Sequence, residues 1–344
     1  MEKDVVENLV PFFVSATFGS TSCCSFDNLS EIGPVCKEFG AWLHVDGAYA
    51  GNAMICDEFK YLMKGIEYAS SFNTNPNKWL LTNFDCSTMW VKDPSKFVEM
   101  KEAKPEHIEE EPSDQMPNYR HWGIPLSRRF RSLKLWFVFR SYGLEGLREY
   151  IRNHCRLAKK FESYVRADPR FEICNDVKMG LVCFRLKGPN KINQELSSSI
   201  NGSGKLHMKP TYIREKLVLR FCVVAEKASK EDMKYAWDVI SSIATEILVS
   251  HSMKIEKDGI LNHNSKSDGV ERNDGDEQLF RRLSQQYSFT KTVTREAYER
   301  TMSKASLHDG VSPIILLDDG EEEATKDDVL FHCTEMATDE LFVQ

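Results

Sequence analysis

The chain opens with a strand, a helix and a strand joined by short connections, and this pattern most constrains its fold. Residues 9–17 are a nearly continuous apolar run, residues 27–39 have apolar side chains at helical spacing, and 41–46 form a second apolar run. Asp27 is predicted as the N-cap of this helix, because a carboxylate accepts hydrogen bonds from the unpaired amides of a first turn. Two strands joined through one helix pair in parallel, so an α/β fold with a parallel sheet is predicted.

Further predicted elements extend this sheet and add a second domain. Apolar periodicity predicts a helix at 58–65, strands at 69–72 and 86–91, and a helical segment at 127–165 that is broken at Gly143. Strands at 171–174 and 181–186, a helix at 190–200, a strand at 217–224 and a closing helix at 230–248 follow. The second group of strands and helices has the order of an α+β domain.

Changes in composition divide the chain into three parts. Residues 1–125 carry the sheet and include a charged, proline-rich segment at 94–118 that is typical of a surface loop. A helical linker and the α+β domain follow at 126–252. Residues 253–344 are predicted to be largely disordered, because they hold too few apolar side chains to offset the entropy of ordering. Within this tail, the stretch Arg-Arg-Leu-Ser that ends at Ser284 resembles a basophilic kinase site.

Composition argues against several classes of protein. The net charge is −7 with no long basic cluster, which disfavours nucleic-acid binding. No apolar run approaches the roughly 20 residues that a membrane-spanning helix needs, and the acidic first residues are unlike a secretory signal. The ten cysteines include no CxxC pair, which indicates reduced thiols and not a disulfide frame or a zinc site. We therefore expect a cytoplasmic enzyme without a bound metal.

Two polar residues follow predicted strands and are candidates for cofactor binding. Asp46 ends the second strand, and Lys78 follows a later strand in an asparagine-rich loop. Ligands of open parallel sheets gather at the carboxyl ends of the strands. A lysine amine can form a Schiff base, and a carboxylate can keep a pyridine nitrogen protonated. The local pattern alone leaves open a turn or cap role for Asp46 and a solvated role for Lys78.

A series of ordered motifs resembles a known family. The motifs include HVDGAYAG at 44–51, SFNTNPNKW at 71–79, YRHW at 119–122 and RRFRSLK at 128–134. Through these motifs the chain resembles the group II pyridoxal-phosphate decarboxylases over about residues 8–248. Within that group, its sequence is most similar to the tyrosine decarboxylases of invertebrates. The resemblance implies the aspartate-aminotransferase-like fold type I, a homodimer and decarboxylation of an aromatic L-amino acid. Conversion of tyrosine to tyramine is favoured, with DOPA, 5-hydroxytryptophan and histidine as open alternatives.

The resemblance also implies roles for individual residues. Lys78 is similar to the lysine that forms the Schiff base with pyridoxal 5′-phosphate, and Asp46 is similar to the carboxylate that binds the pyridine nitrogen. Asn75 resembles a contact of the cofactor phosphate. Thr21 and Asp27 match positions that line the cofactor pocket.

Two histidines are catalytic candidates. His44 precedes Asp46 by two residues, so their side chains share one face of a strand. His107 stands where the family's loop carries a tyrosine that protonates Cα, and no tyrosine occurs between Trp90 and Tyr119. Histidine can serve as an acid near neutral pH. Loss of the tyrosine in relatives is associated with an aldehyde product, so amine formation, aldehyde formation and a loop without defined chemistry are the alternatives.

The resemblance starts part-way along the family's sequence. In family members the matching part is preceded by a segment that wraps the dimer partner and by the front half of the cofactor domain. That front half supplies small residues around the phosphate and a histidine stacked on the ring. We therefore expect a truncated chain that exposes a sheet edge and an apolar face and binds the cofactor weakly. A weak or inactive subunit that pairs with a full-length partner is the alternative function.

Overall fold

The computed structural model describes residues 1–95 and 129–262, the last ten of them by their backbone alone. These residues form two compact units that divide between Asn153 and His154. The division lies inside a long helix, where composition does not change, and it differs from the boundary after residue 125 that composition suggested.

Several predictions fall outside the described residues. The segment 96–128 contains most of the predicted surface loop and the candidate acid His107. The segment 263–344 contains most of the predicted tail and the candidate phosphorylation site Ser284.

The first unit is built on a four-stranded sheet. Its strands, in spatial order, are β1 (Phe13–Thr17), β2 (Trp42–Asp46), β3 (Ser71–Thr74) and β4 (Thr88–Val91). The first three are parallel, and β4 pairs antiparallel with β3. All four strands overlap the predicted ones, and the predicted parallel pairing is confirmed.

Short helices connect these strands. They are α1 (Glu2–Val6), α2 (Leu29–Glu38) and α3 (Pro76–Trp79), with 3₁₀ helices at Ala50–Ile55, Asp57–Met63 and Ile66–Tyr68. The predicted helix at 58–65 is therefore of the wrong type. Over eight residues, an apolar pattern does not distinguish three residues per turn from 3.6.

The predicted N-cap role of Asp27 is also wrong. Helix α2 begins at Leu29, and Asn28 occupies the N-cap position with extended backbone angles. Asp27 pairs instead with the end of β1. Its Oδ2 accepts a hydrogen bond from Thr17 N at 2.7 Å, and its own N donates to Thr17 O at 2.8 Å. The carboxylate thus satisfies an amide of the strand and not one of the helix.

The edge of the first sheet is apolar, as expected. Among the described strands, β1 has a neighbour on one side only. Large apolar side chains in and before this strand are exposed, namely Leu9, Val10, Phe12 and Phe13. None of the described helices is long and apolar enough to cross a membrane.

Helix α4 (Ser132–Ala167) leads from the first unit to the second and is interrupted where the sequence predicts. Gly143 has φ 64° and ψ 175°, outside the helical region. A residue with a side chain adopts a positive φ at a cost, whereas glycine has no Cβ to clash. Gly143 therefore separates two helical segments within this stretch.

The second unit is an antiparallel sheet with helices. Its strands are β5 (Phe171–Ile173), β6 (Leu181–Leu186), β7 (Pro210–Ile213) and β8 (Lys216–Cys222), in the spatial order β5-β6-β8-β7, and its further helices are α5 (Asn190–Gly202) and α6 (Lys230–Asn262). Strand β7 was not predicted, because it begins at a proline and none of its residues is buried. Helix α6 continues past the predicted end at Leu248, so residues 253–262 of the predicted tail are helical. Good helix formers such as Lys254 and Glu256 sustain a helix where apolar periodicity fades.

Aromatic side chains fill the core of the second unit. The rings of Phe161 and Phe221 stack with centroids 3.8 Å apart, and Phe184 and Trp237 meet Phe161 edge-on. These residues come from α4, both central strands and α6, so one cluster joins the helices to the sheet.

The buried His154 makes the stability of the second unit sensitive to acid. Its Nε2–H donates to Ala225 O at 3.0 Å, and burial lowers its pKa from 6.5 to about 4. Between these values the unfolded chain binds a proton that the folded chain does not. The free energy of unfolding should therefore fall with decreasing pH by up to roughly 1.4 kcal/mol per unit, and H154Q should reduce this slope.

Urea denaturation of both proteins at several pH values within that window measures the two slopes. The comparison cancels titrating groups that the two proteins share. Equal slopes for the wild type and H154Q would contradict the prediction.

Candidate active site

The candidate site lies where the three parallel strands of the first sheet end. Asp46 is the last residue of β2, and it is in register with Thr17 on β1 and with Asn73 on β3. Parallel pairing brings the carboxyl ends of the strands to one edge of the sheet. The loops that follow β1, β2 and β3 carry the other predicted site residues to the same edge.

A close backbone approach ties the loop after β2 to β3. Gly47 N donates to Asn73 O at 3.0 Å, and a Cβ built on Gly47 would lie 2.8 Å from that same oxygen. A residue with a side chain would therefore force the strands apart. Glycine at this position allows the chain to turn immediately after Asp46.

Asp46 presents its carboxylate at the exposed end of the strand. Its Oδ1 accepts a hydrogen bond from Ala48 N at 2.9 Å, which fixes the direction of the group. Within the described part of the chain, no lysine or arginine forms an ion pair with it. The carboxylate is thus oriented and can bind a cation from outside the chain.

Lys78 is held in place by its neighbours on α3 and by the loop after β1. Its Nζ donates to Thr21 Oγ1 at 3.1 Å, although 57 residues separate the two in sequence. Trp79, next to it, is fully buried and stacks on Tyr49 with centroids 4.9 Å apart. This anchor fixes the short helix that carries the lysine, so the amine has a defined position.

Asn75, at the start of α3, is bound at three points. Its N donates to Ala48 O at 3.0 Å, and its O accepts from Asn52 Nδ2 at 2.9 Å. Ser87 Oγ donates to Asn75 Oδ1 at 2.6 Å. The side-chain oxygen is therefore occupied, and Nδ2 remains as a donor with no hydrogen bond among the described residues. Such a donor suits the phosphate contact that the sequence predicts.

His44 makes hydrogen bonds through both ring nitrogens. Ser71 Oγ lies 2.8 Å from Nδ1, and Asn73 Oδ1 lies 3.1 Å from Nε2. Burial lowers the pKa of the imidazole, and this effect outweighs the opposing influences of the Asp46 carboxylate and of the bond to Asn73. The protein thus engages both nitrogens of His44 through side chains of β3, and the predicted catalytic role of His44 stays a prediction.

The structure brings some of the predicted residues together and separates another. Lys78 and Thr21 are in direct contact, and His44 and Asp46 lie on one strand beside Asn73. Asp27 is directed to the backbone of β1, where it forms two hydrogen bonds with Thr17, and its place as a pocket residue stays a prediction.

Sequence reasoning did not single out Ser71, Asn73 and Ser87, which orient the predicted residues. Ser71 and Asn73 are buried, with 5% and 6% of their surface exposed. Two polar residues at alternate positions of a buried strand lie on one face and require polar partners there. That alternation is the signal by which the sequence could have identified them.

These side chains fit pyridoxal phosphate in their chemistry. The described residues offer a positioned primary amine at Lys78, an oriented carboxylate at Asp46 and an amide donor at Asn75. An aldehyde, a protonated ring nitrogen and a phosphate need these three kinds of group.

Comparisons with known proteins identify the family of this chain. Residues 1–187 match the model of the pyridoxal-dependent decarboxylase conserved domain. The aromatic-L-amino-acid decarboxylase of Mus musculus is 54% identical over 250 residues, which are 72% of this chain and 52% of the mouse protein. This chain therefore spans about half the length of the curated relatives it matches.

Solved structures give the same result. The structure of Oryza sativa TDC with PLP and tryptamine is 36% identical and has a TM-score of 0.68. The match covers 72% of this chain and 53% of the Oryza sativa chain. Rhodiola rosea 4-hydroxyphenylacetaldehyde synthase is also 36% identical, with a TM-score of 0.66 and coverage of 72% and 52%. The fold is thus fold type I of the pyridoxal-phosphate enzymes, and pyridoxal phosphate is the cofactor. With more than half of its residues matched by the family model, this chain belongs to the pyridoxal-dependent decarboxylase family.

Proposed function

We propose that this chain takes part in the decarboxylation of aromatic L-amino acids with pyridoxal phosphate. The observation that carries the proposal is the placement of Asp46 at the end of β2 and of Lys78 just after β3, with the Lys78 amine held by Thr21. Family membership and the name of the mouse relative support this class of reaction.

Each of the chain's own groups has a defined task in this proposal. When bound, pyridoxal phosphate supplies an aldehyde that condenses with amines and a ring that accepts an electron pair. Lys78 would hold the aldehyde carbon, and Thr21 Oγ1, which accepts a hydrogen bond from Nζ, would orient the amine. Asp46 would keep the ring nitrogen protonated, and Asn75 Nδ2 would donate to the phosphate. These residues orient the cofactor with amine, anion and donor at separate points.

The proton that replaces the carboxyl group needs an acid, for which we propose His107. It stands at the position where the family carries a tyrosine. An imidazole can donate a proton near neutral pH, and a positioned acid typically contributes 10²–10⁴-fold to a rate.

A specific observation supports an aldehyde as the alternative product. The Rhodiola rosea relative is named an aldehyde synthase, and this chain lacks the loop tyrosine. In that alternative the amino acid reacts with O₂ and water, and the products are the aldehyde, CO₂, ammonia and hydrogen peroxide. Release of amine and release of peroxide therefore distinguish the two reactions.

Among aromatic amino acids, we propose tyrosine as the preferred substrate. The support is the resemblance of the segments 75–86 and 119–138 to tyrosine decarboxylases of invertebrates. Comparing kcat/KM for tyrosine, DOPA, 5-hydroxytryptophan and histidine tests the preference. A higher value for any of the other three would contradict it.

We further propose a homodimer in the cytoplasm, with pairing to a full-length relative as the alternative. The exposed apolar edge strand β1 supports association with another subunit. Sedimentation velocity of the purified chain measures its state directly. If amine is released only after a full-length relative is added, the chain is a partial subunit and not an enzyme by itself.

Borohydride reduction in the presence of pyridoxal phosphate should attach the cofactor to Lys78. Mass spectrometry of the digested protein locates the adduct, and K78R should abolish both the adduct and amine release. Arginine keeps the charge but does not form this bond at neutral pH, because its guanidinium stays protonated.

K92R is the matched control, since Lys92 is an exposed lysine of the same unit whose Nζ donates to Glu67 O. We expect it to behave as the wild type. An adduct retained in K78R, or lost equally in K92R, would contradict the assignment of Lys78. An adduct on Lys78 without any turnover would favour the partial-subunit alternative.

Substitutions of His107 should separate the two products. H107F removes the acid, so amine release should fall by about 10²-fold. H107Y restores the family's residue and should raise the ratio of amine to peroxide. Parallel assays of amine, ammonia and peroxide measure that ratio, and an unchanged ratio in both variants would exclude His107 as the proton donor.

A further inference from the structure

A chain of hydrogen bonds runs beneath the candidate site from Trp42 to Asn73. Trp42 Nε1 donates to Ser71 Oγ at 2.8 Å. Ser71 Oγ lies 2.8 Å from His44 Nδ1, and His44 Nε2 lies 3.1 Å from Asn73 Oδ1. The four side chains connect β2 with β3 immediately before Asp46.

The chemistry of the two end groups determines the direction of this chain. An indole N–H can only donate, and an amide oxygen can only accept. Asn73 Oδ1 therefore requires the proton on His44 Nε2. Ser71 Oγ accepts from Trp42, so its own proton is available for the lone pair on Nδ1. This arrangement satisfies all four groups when His44 is a neutral imidazole.

The surroundings of the ring favour the same state. The Phe13 ring lies nearly parallel to the His44 ring, with planes 18° apart and centroids 6.3 Å apart, so an apolar ring flanks the imidazole. Burial lowers the pKa of His44, so the uncharged form is favoured. Asp46 is the neighbouring charge and acts in the opposite direction.

We propose that Ser71 and Trp42 are positioning residues, which fix His44 as a neutral imidazole protonated on Nε2 and thereby leave the Asp46 carboxylate for the cofactor's ring nitrogen. A charged imidazole two residues away on the same face would attract that carboxylate and weaken its hold on the ring. This inference rests on the proposed cofactor role of Asp46. It assigns functions to two residues that act through His44.

Side-chain ¹⁵N–¹H correlation spectra of histidine-labelled protein report the tautomer and charge of His44 directly, and H44N identifies its signals. We expect a neutral ring protonated on Nε2 in the wild type. S71A removes the donor to Nδ1, so this nitrogen loses its partner and the ring should take up a second proton more readily. W42F frees Ser71 to accept from Nδ1, so it should shift the ring in the same direction.

Equilibrium dialysis measures the affinity for pyridoxal phosphate in the same proteins. S71A should bind the cofactor about tenfold more weakly, equivalent to about 1.4 kcal/mol. S71T keeps the hydroxyl and should restore both the tautomer and the affinity. S70A is the control, because the Oγ of the adjacent Ser70 accepts from Leu43 N and does not belong to the hydrogen-bond chain from Trp42 to Asn73.

The results of these experiments decide whether Ser71 and Trp42 position His44. A charged ring or an Nδ1 proton in the wild type would overturn the inference, as would equal losses of affinity in S71A and S70A. Unchanged affinity in S71A would also overturn it. If the tautomer and affinity results hold but no amino acid is decarboxylated, the proposed function fails and the positioning role stands.

Discussion

Everything at the candidate site depends on the parallel pairing of β2 with its two neighbours. The register places Asp46 opposite Thr17 on one side and Asn73 on the other. From these three points the chain leaves the sheet in loops that carry Thr21, Asn75 and Lys78. A shift of one residue in this register would turn the side chains of β2 to the other face, because they alternate along a strand. Sheet pairing thus positions the site before any side chain contributes.

The side chains then refine what the backbone positions. Around Asp46 and Asn75, single hydrogen bonds orient the acceptor groups and leave other faces for a ligand. Trp79 and Tyr49 add a buried aromatic contact that holds the lysine's short helix. Asn75 is buried and its side-chain oxygen is satisfied, which makes it rigid, and a cofactor held at several points requires such rigidity.

The sequence predicted the regular elements well where an apolar run was long or a glycine marked a break. Strands β1, β2 and β6 and the break at Gly143 follow from local composition. Prediction failed for short or polar elements, such as the 3₁₀ helices and β7, where several periods fit equally well. It also failed at Asp27, because a carboxylate at a helix start and one at a strand end have the same local pattern.

Sequence by itself determined the family of this chain and predicted its two principal site residues, Lys78 and Asp46, because both stand in long ordered motifs. Only the tertiary structure decided their partners. The amine of Lys78 meets a hydroxyl 57 positions away, and His44 meets side chains 27 and 29 positions away. No local pattern encodes which distant residues will face one another, since strand register and loop path determine those contacts. The tertiary structure thus decided that both ring nitrogens of His44 form hydrogen bonds with side chains of β3.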